Sequence, residues 1–219
     1  MEPITNRSYR LRGVRITPAQ QEARDNFWAK FGVEFQESQI DLESLFPKSQ
    51  PIVMEVGYGM GEATWQIAKA NPNLNYLGVE VHMPGVGKLM ARLDEYELTN
   101  VRLIERDVFE VLYYMVKGSS LDGVHLFFPD PWPKARHFKR RIVNQEFIVA
   151  VAAKLKPGAF FHIATDWQPY AEWIAEEFTK QSFFTGGEVE RPDWRPLTRF
   201  EDQGINKDHP VADFRFIKK

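Results

Sequence analysis

The chain contains no cysteine. Disulfides and thiolate nucleophiles are excluded, and five dispersed histidines offer little for a structural zinc, so no metal is expected. Long apolar runs are missing too. The longest, Phe147 to Ala153, has seven residues, against the roughly 20 that a membrane-crossing helix needs. No membrane partner is expected, and the N-terminal MEPITNRSYRLRG lacks the apolar core of a secretory signal. Charge of one sign is also lacking. The formal net charge is −2 over 219 residues, so attraction for a polyanion must come from local patches. What remains is a chain rich enough in apolar residues, at 43%, to build a core. A soluble cytoplasmic protein, monomer or homodimer, is the expectation.

The stretch around which the chain is organised is VHLFFPDPWPKARHFKRR, Val124 to Arg141. Val124 to Phe128 reads as a buried strand. Pro129, Pro131 and Pro133 stop it, because proline offers no N–H to a ladder and biases its predecessor away from helix. Asp130 is thereby held on a stiff loop at the strand's C-terminal end, with Trp132 beside it. Lys134, Arg136, Lys139, Arg140 and Arg141 then place five cations in eight residues, and the next helix is expected to start near Arg140. A basic run alone reads equally as a solvated face. Following a carboxylate and an aromatic at a strand end, it reads as part of a site for a polyanion. Trp132 is open to two roles, stacking on a bound base or packing against the following helix.

Around this stretch, strands and helices alternate. Residues 1–16 carry Arg7, Arg10, Arg12 and Arg15 against Glu2 and read as a basic arm, followed by a single domain over 17–219. Thr17-Pro18-Ala19-Gln20 is a capping-box start for a helix to about Lys30. Strands are expected at Ile52–Val56, Tyr76–Val81, Val101–Glu105, Val124–Phe128 and Ala159–Thr165. Helices are expected at Glu62–Ala70, from Pro84, at Val108–Val116, through Val143, Phe147, Val151 and Leu155 until Lys156-Pro157-Gly158 stops it, and at Pro169–Lys180. Strand-like pieces at Glu188–Glu190 and Asp213–Ile217 are expected to close the sheet edge. This alternation specifies an α/β fold with a doubly wound, mostly parallel sheet, whose ligands bind at the C-terminal strand ends.

Glu55-Val-Gly57-Tyr-Gly59-Met-Gly61-Glu62 follows the first strand. A dinucleotide fingerprint is G-x-G-x-x-G; here the third glycine comes one residue early and acids flank the loop. Pyrophosphate would meet Glu62 and Glu55, whereas S-adenosyl-L-methionine carries a sulfonium, an ammonium and no phosphate. Glu80 ends the second strand, where a carboxylate can accept from both ribose hydroxyls. Asp107 follows the third strand, in reach of an adenine amino group, and Asp130 follows the fourth. Each acid alone would serve as a helix cap; together they point to one methyl-donor crevice.

These residues resemble a known family. The glycine loop, Pro129-Asp130-Pro131-Trp132-Pro133-Lys134, and Thr198-Arg199-Phe200-Glu201 look like the bacterial tRNA (guanine-N7)-methyltransferases. The leader Arg7-Ser8-Tyr9-Arg10 through Arg15-Ile16-Thr17 matches more loosely. The resemblance implies a Rossmann-like class I methyltransferase fold, S-adenosyl-L-methionine as donor with S-adenosylhomocysteine as product, and guanine 46 of the tRNA variable loop as target. It implies that Glu55, Glu80, Asp107 and Asp130, with Gly57, Gly59 and Gly61, contact the donor, and that Asp130 is also catalytic. It assigns Lys134, Asp166 and Thr198, Arg199, Phe200 and Glu201 to substrate, and Arg136, His137, Phe138, Lys139, Arg140 and Arg141 to RNA. Asp166 follows the fifth strand and so faces the same crevice.

Two rival readings stay open. Exocyclic-amine methyltransferases carry a related strand-end block with Asn or Asp, two prolines and an aromatic; Asp130-Pro131-Trp132 lacks the second adjacent proline. A non-catalytic RNA-binding protein on the same scaffold would be expected to lose its donor-site acids, and all four are here.

Overall fold

The computed structural model describes Tyr9, residues 15–197 and residues 211–219. The basic arm, apart from Tyr9, Arg15 and Ile16, and the segment Thr198 to Glu201 lie outside the described residues. Helix α1, Pro18–Phe31, begins with the expected capping box: Thr17 accepts from the Gln20 N–H while Gln20 accepts from the Thr17 N–H.

The core unit alternates β1 (Ile52–Val56), α2 (Glu62–Ala70), β2 (Asn75–Glu80), α3 (Met83–Glu95) and β3 (Val101–Glu105). A short α4, Val108–Glu110, continues as a π-helical turn, Val111–Met115. Then come β4 (Leu121–Phe127), a 3₁₀ turn (Ala135–Arg140), α5 (Gln145–Lys154), β5 (Leu155–Thr165), α6 (Gln168–Thr179), β6 (Phe184–Val189) and β7 (Ala212–Lys218). All seven strands form one sheet in the order β3-β2-β1-β4-β5-β7-β6. The five strands from β3 to β5 run parallel, and β7 is antiparallel to both neighbours. The strand order reverses between β1 and β4, the place where such sheets open a ligand crevice.

Burial on both sheet faces explains the unbroken apolar strands: every residue of β1 and β2 is buried. One face packs α1, α2 and α3 through Phe31, Ile67, Val86, Leu89 and Leu93 against Val53, Tyr76 and Leu103. The other packs α4, α5 and α6 through Phe109, Phe147, Val151, Tyr170 and Ile174 against Met54, Leu126 and Ile163. Helix α1 lies along α3, with the Gln20 carbonyl close over Gly87 and Lys30 paired to Asp94 at 2.7 Å. Its start therefore sits at the C-terminal edge of the sheet, beside the start of α3.

Three expectations are corrected. The helix after the basic run starts at Gln145, where the Asn144 side chain accepts from the Phe147 N–H at 3.0 Å; the cations instead occupy the 3₁₀ turn. Lys156-Pro157-Gly158 does not follow a helix that includes Leu155: α5 stops at Lys154, and the three residues lie inside β5. The ladder pairs Leu121 with Leu155 and resumes at Gly123 with Phe160, so these residues bulge out, with Gly158 at φ 81°. Finally, β6 starts at Phe184, well before Glu188.

Candidate active site

The C-terminal ends of β3, β2, β1, β4 and β5 lie side by side. Neighbouring strands are about 4.8 Å apart, so the ends of β2, β1 and β4 fall within ~10 Å across the sheet. Glu80, Glu55 and the loop carrying Asp130 are thus brought to one crevice, flanked by Asp107 beyond β3 and Asp166 beyond β5.

The glycine loop turns over the end of β1. Gly57, Gly59 and Gly61 have φ of 68°, 57° and 72°, left-handed values that favour glycine. Around Gly57 and Gly59 there is open space where a Cβ would stand, which leaves the backbone approachable. Gly61 instead presses on Leu89 and starts α2.

Glu80 is 8% exposed and holds this loop. Its Oε2 accepts from the Gly59 N–H at 2.7 Å, and its Oε1 accepts from the N–H groups of Val81 and His82 at 2.6 and 2.9 Å. The carboxylate therefore tethers the glycine loop to the end of β2. Asp107 likewise caps α4, accepting from the Phe109 N–H at 2.9 Å.

Glu55 is the most perturbed acid here. It is 3% exposed, and its Oε2 has no hydrogen-bond partner among the described residues. Burial pushes its carboxyl up to about 7; the nearby Thr64 hydroxyl opposes this, and the charge of Glu80 adds to it. The pairs Gly78–Glu55 and Glu80–Glu105 in the ladder put Glu55, Glu80 and Glu105 on one sheet face. Buried Tyr58 feels all three charges, its phenol driven upward by burial first and then by these acids. Arg24 of α1 answers Glu105 at 3.0 Å. A buried, perturbed carboxyl with an unsatisfied oxygen beside an open glycine turn has the character of a binding site for a cation.

Asp130 is exposed, while its loop is firmly held. Phe128 and Trp132, both L residues, have φ of 51° and 44°. Left-handed backbone costs a non-glycine residue of the order of 1 kcal/mol or more, so these two turns exist because surrounding contacts impose them. The Phe128 N–H donates to the Ala164 carbonyl at 2.8 Å. The Trp132 ring is 7% exposed. Arg140 lies over it at 5.0 Å and His137 meets it edge-on at 5.7 Å. Trp132 thus packs on the residues of the 3₁₀ turn.

The basic run divides. Lys134, Arg136 and Lys139 are exposed, and His137, Phe138 and Arg140 are partly covered. Arg141 departs from the expectation of an RNA contact: it is 2% exposed. Its guanidinium lies 3.8 Å from the Phe138 ring, 4.9 Å from Trp173 and 5.1 Å from Tyr170, and its Nε donates to the Pro131 carbonyl at 3.0 Å. Burial lowers its pKa, although the nearby Tyr170 acts in the opposite direction. Arg141 braces the Asp130 loop from beneath. Thr64 and Glu105 were not singled out in the sequence, because neither lies in a motif; only the period-2 alternation of β3 would have aligned Glu105 with Glu80.

Residues 49–214 match a family described as "Putative methyltransferase". The chain is 46% identical to the tRNA (guanine-N(7)-)-methyltransferase of Methylobacillus flagellatus, covering 97% of this chain and 91% of that one. It is 48% identical to the enzyme of the same name from Serratia proteamaculans, covering 97% and 91%. The solved structure of the aminoglycoside resistance methyltransferase NpmB1 superposes with a TM-score of 0.57 at 15% identity, over 84% of this chain and 95% of that one, which shows the Rossmann-like class I methyltransferase fold. With relatives this similar along nearly its whole length, and a glycine loop and strand-end acids laid out on that fold, the chain belongs to the bacterial tRNA (guanine-N(7)-)-methyltransferase family.

Proposed function

We propose that this chain transfers a methyl group from S-adenosyl-L-methionine to N7 of a guanine in tRNA, in the cytoplasm, and that the guanine is number 46 of the variable loop. The position rests on the family resemblance. The reaction is supported by one observation above others: an exposed carboxylate, Asp130, held between two left-handed residues at the switch point of the sheet, beside a glycine turn and a patch of cations.

The donor supplies an activated methyl group on a sulfonium, and S-adenosylhomocysteine is the product. Gly57 and Gly59 leave room for it, Glu80 and Asp107 offer acceptors, and Glu55 is the buried carboxyl that a cation would satisfy. N7 of guanine is an acceptor with a free lone pair, open in the major groove. No general base is needed to remove a proton from it. What the protein must do is align N7 with the methyl carbon and stabilise the positive charge that arrives on the purine. A preorganised carboxylate does the second by electrostatics. By the resemblance, Lys134, Asp166 and the segment Thr198 to Glu201 are assigned to contact with the substrate. Arg136, His137, Phe138, Lys139 and Arg140 are assigned to the RNA, with Arg141 supporting the loop beneath them.

The test is nucleoside mass spectrometry of reacted tRNA, with borohydride–aniline cleavage to locate the modified guanine. Methyl on an exocyclic amine or a ribose oxygen overturns the N7 assignment, and cleavage elsewhere overturns position 46. Asp130→Asn keeps the side-chain shape and removes the charge. It should retain tRNA affinity while turnover falls on the order of 10²-fold, the size of loss seen when one electrostatic stabiliser is removed. Full turnover in this variant would remove Asp130 from the chemistry.

A further inference from the structure

Helices α1 to α3 cover their sheet face from β3 to β1. Beyond them, over β4, β5 and β7, the same face is crossed by the short segment Arg191–Leu197. Trp194 lays its ring on buried His125, centroids 5.3 Å apart and planes 19° off parallel. Burial, with His162 and Arg215 nearby, pushes His125 down to about 3, so Trp194 rests on a neutral ring. Arg195 is 0% exposed. Its Nε and Nη2 donate to the two oxygens of Asp213 at 3.0 and 2.8 Å, and Asp213 Oδ1 also bonds His162 Nε2 at 2.8 Å. Burial acts to raise the Asp213 pKa, but the hydrogen bonds with His162 and Arg195 outweigh it and leave the carboxylate below its usual range.

The position of this ion pair is what distinguishes it. Asp213 stands opposite Ala164 in the β5–β7 ladder. The Ala164 carbonyl receives the Phe128 N–H. The Arg195 guanidinium lies 5.4 Å from the Phe128 ring centroid and 6.0 Å from that of Phe127. One cation therefore touches the end of β4 where the chain turns left-handed toward Asp130, and is anchored to the start of β7. Along the chain, Arg195 is also three residues before Thr198. Removing one partner of a buried ion pair is costly, yet well-packed apolar residues give equal or greater stability. The two-pronged contact holds both side chains in one relative orientation. The planar fork of arginine meets both carboxylate oxygens, and lysine has a single point charge.

We propose that Arg195, held by Asp213, is a positioning residue for methyl transfer: it sets the Phe128 turn that aims Asp130. This rests on the N7-methyltransferase reading above.

The experiment compares wild type, Arg195→Met, Arg195→Lys and Asp213→Asn for tRNA turnover, KM, donor affinity by calorimetry, and melting temperature. In folded Arg195→Met, kcat should fall roughly 10- to 100-fold, as for a misplacement of about 1 Å at a reacting group, while donor affinity and tRNA KM stay close to wild type. Arg195→Lys, which keeps the charge and loses the fork, should recover part of that kcat and serves as the test if Arg195→Met does not fold. Asp213→Asn should lower kcat in the same way, and combining it with Arg195→Met should add little. Wild-type kcat in a folded Arg195 variant overturns the proposal. So does a loss of kcat that tracks lost donor affinity or lost folded fraction, since that is plain destabilisation. A wild-type chain that does not methylate tRNA sinks the underlying reading and this one with it, whereas active wild type beside unaffected variants sinks this one alone.

Discussion

Glu55 is buried, with one oxygen that has no hydrogen-bond partner among the described residues. Burial raises its carboxyl from 4.5 to about 7. The free protein therefore keeps this proton between those two pH values, while the unfolded chain gives it up. The associated stability is fully present below about pH 4.5 and is lost as pH rises through 7. The loss amounts to about 3 kcal/mol, at 1.36 kcal/mol for each unit of pKa. Glu55→Gln, which cannot ionise, should flatten this part of the profile, as read from urea unfolding at several pH values. A donor cation seated beside Glu55 would reverse the balance and favour the carboxylate. Donor binding near neutral pH should then release a proton, seen as a binding enthalpy that changes with the ionisation heat of the buffer. The placement of Glu55, Glu80, Asp107 and Asp130 was legible in the sequence because each lies at or just beyond the C-terminal end of an apolar strand. The left-handed turns at Phe128 and Trp132 were not, since both residues ordinarily avoid positive φ and only their tertiary contacts impose it.

The turn from Ala135 to Arg140 is where local pattern misled. Five cations within eight residues look alike in sequence, and the fold separates them by how far each is buried. Arg141 is enclosed by three aromatic rings and a carbonyl, whereas Arg136 and Lys139 are exposed. Arg141→Ala should destabilise the protein by about 2–4 kcal/mol, from a desolvated cation–π cluster and a charged hydrogen bond, visible as a lower urea midpoint. Arg136→Ala and Lys139→Ala should leave that midpoint in place. Each should instead reduce the log–log salt slope of tRNA binding by about 0.7–0.9, measured by fluorescence anisotropy. The opposite pattern would mean that Arg141 is the RNA contact and the exposed pair is not. The sheet core was read well because unbroken apolar runs flanked by glycine and proline have few alternatives. The last strands were read less well: β6, with Thr185-Gly186-Gly187 at its centre, has little apolar pattern of its own and is defined by pairing with β7.

At the scale of the molecule, the glycine loop, the strand-end acids and the start of α1 all gather at one edge of a single sheet. A donor that binds there, and does not bind the unfolded chain, should stabilise the whole fold. S-adenosylhomocysteine at 100 times its dissociation constant should add about 2.7 kcal/mol. For a chain of this size that corresponds to a melting temperature roughly 5–10 °C higher, measurable by calorimetry; no shift would mean that the folded chain does not bind S-adenosylhomocysteine.

The place of β7 has a consequence for how the protein is made. It lies inside the sheet, between β5 and β6, yet it follows both of them in the chain. During synthesis the ribosome delivers β6 before the strand it pairs with exists. Until β7 arrives, β5 has an unpaired edge and Phe184 and Ile163 lack the cover of their neighbours. Pairing β5 with β7 closes a loop of some fifty residues, the kind of long-range closure that slows folding. A nascent chain halted before residue 212 would thus expose an edge open to the wrong partner, and the ion pair of Arg195 with Asp213 would be among the last contacts to form.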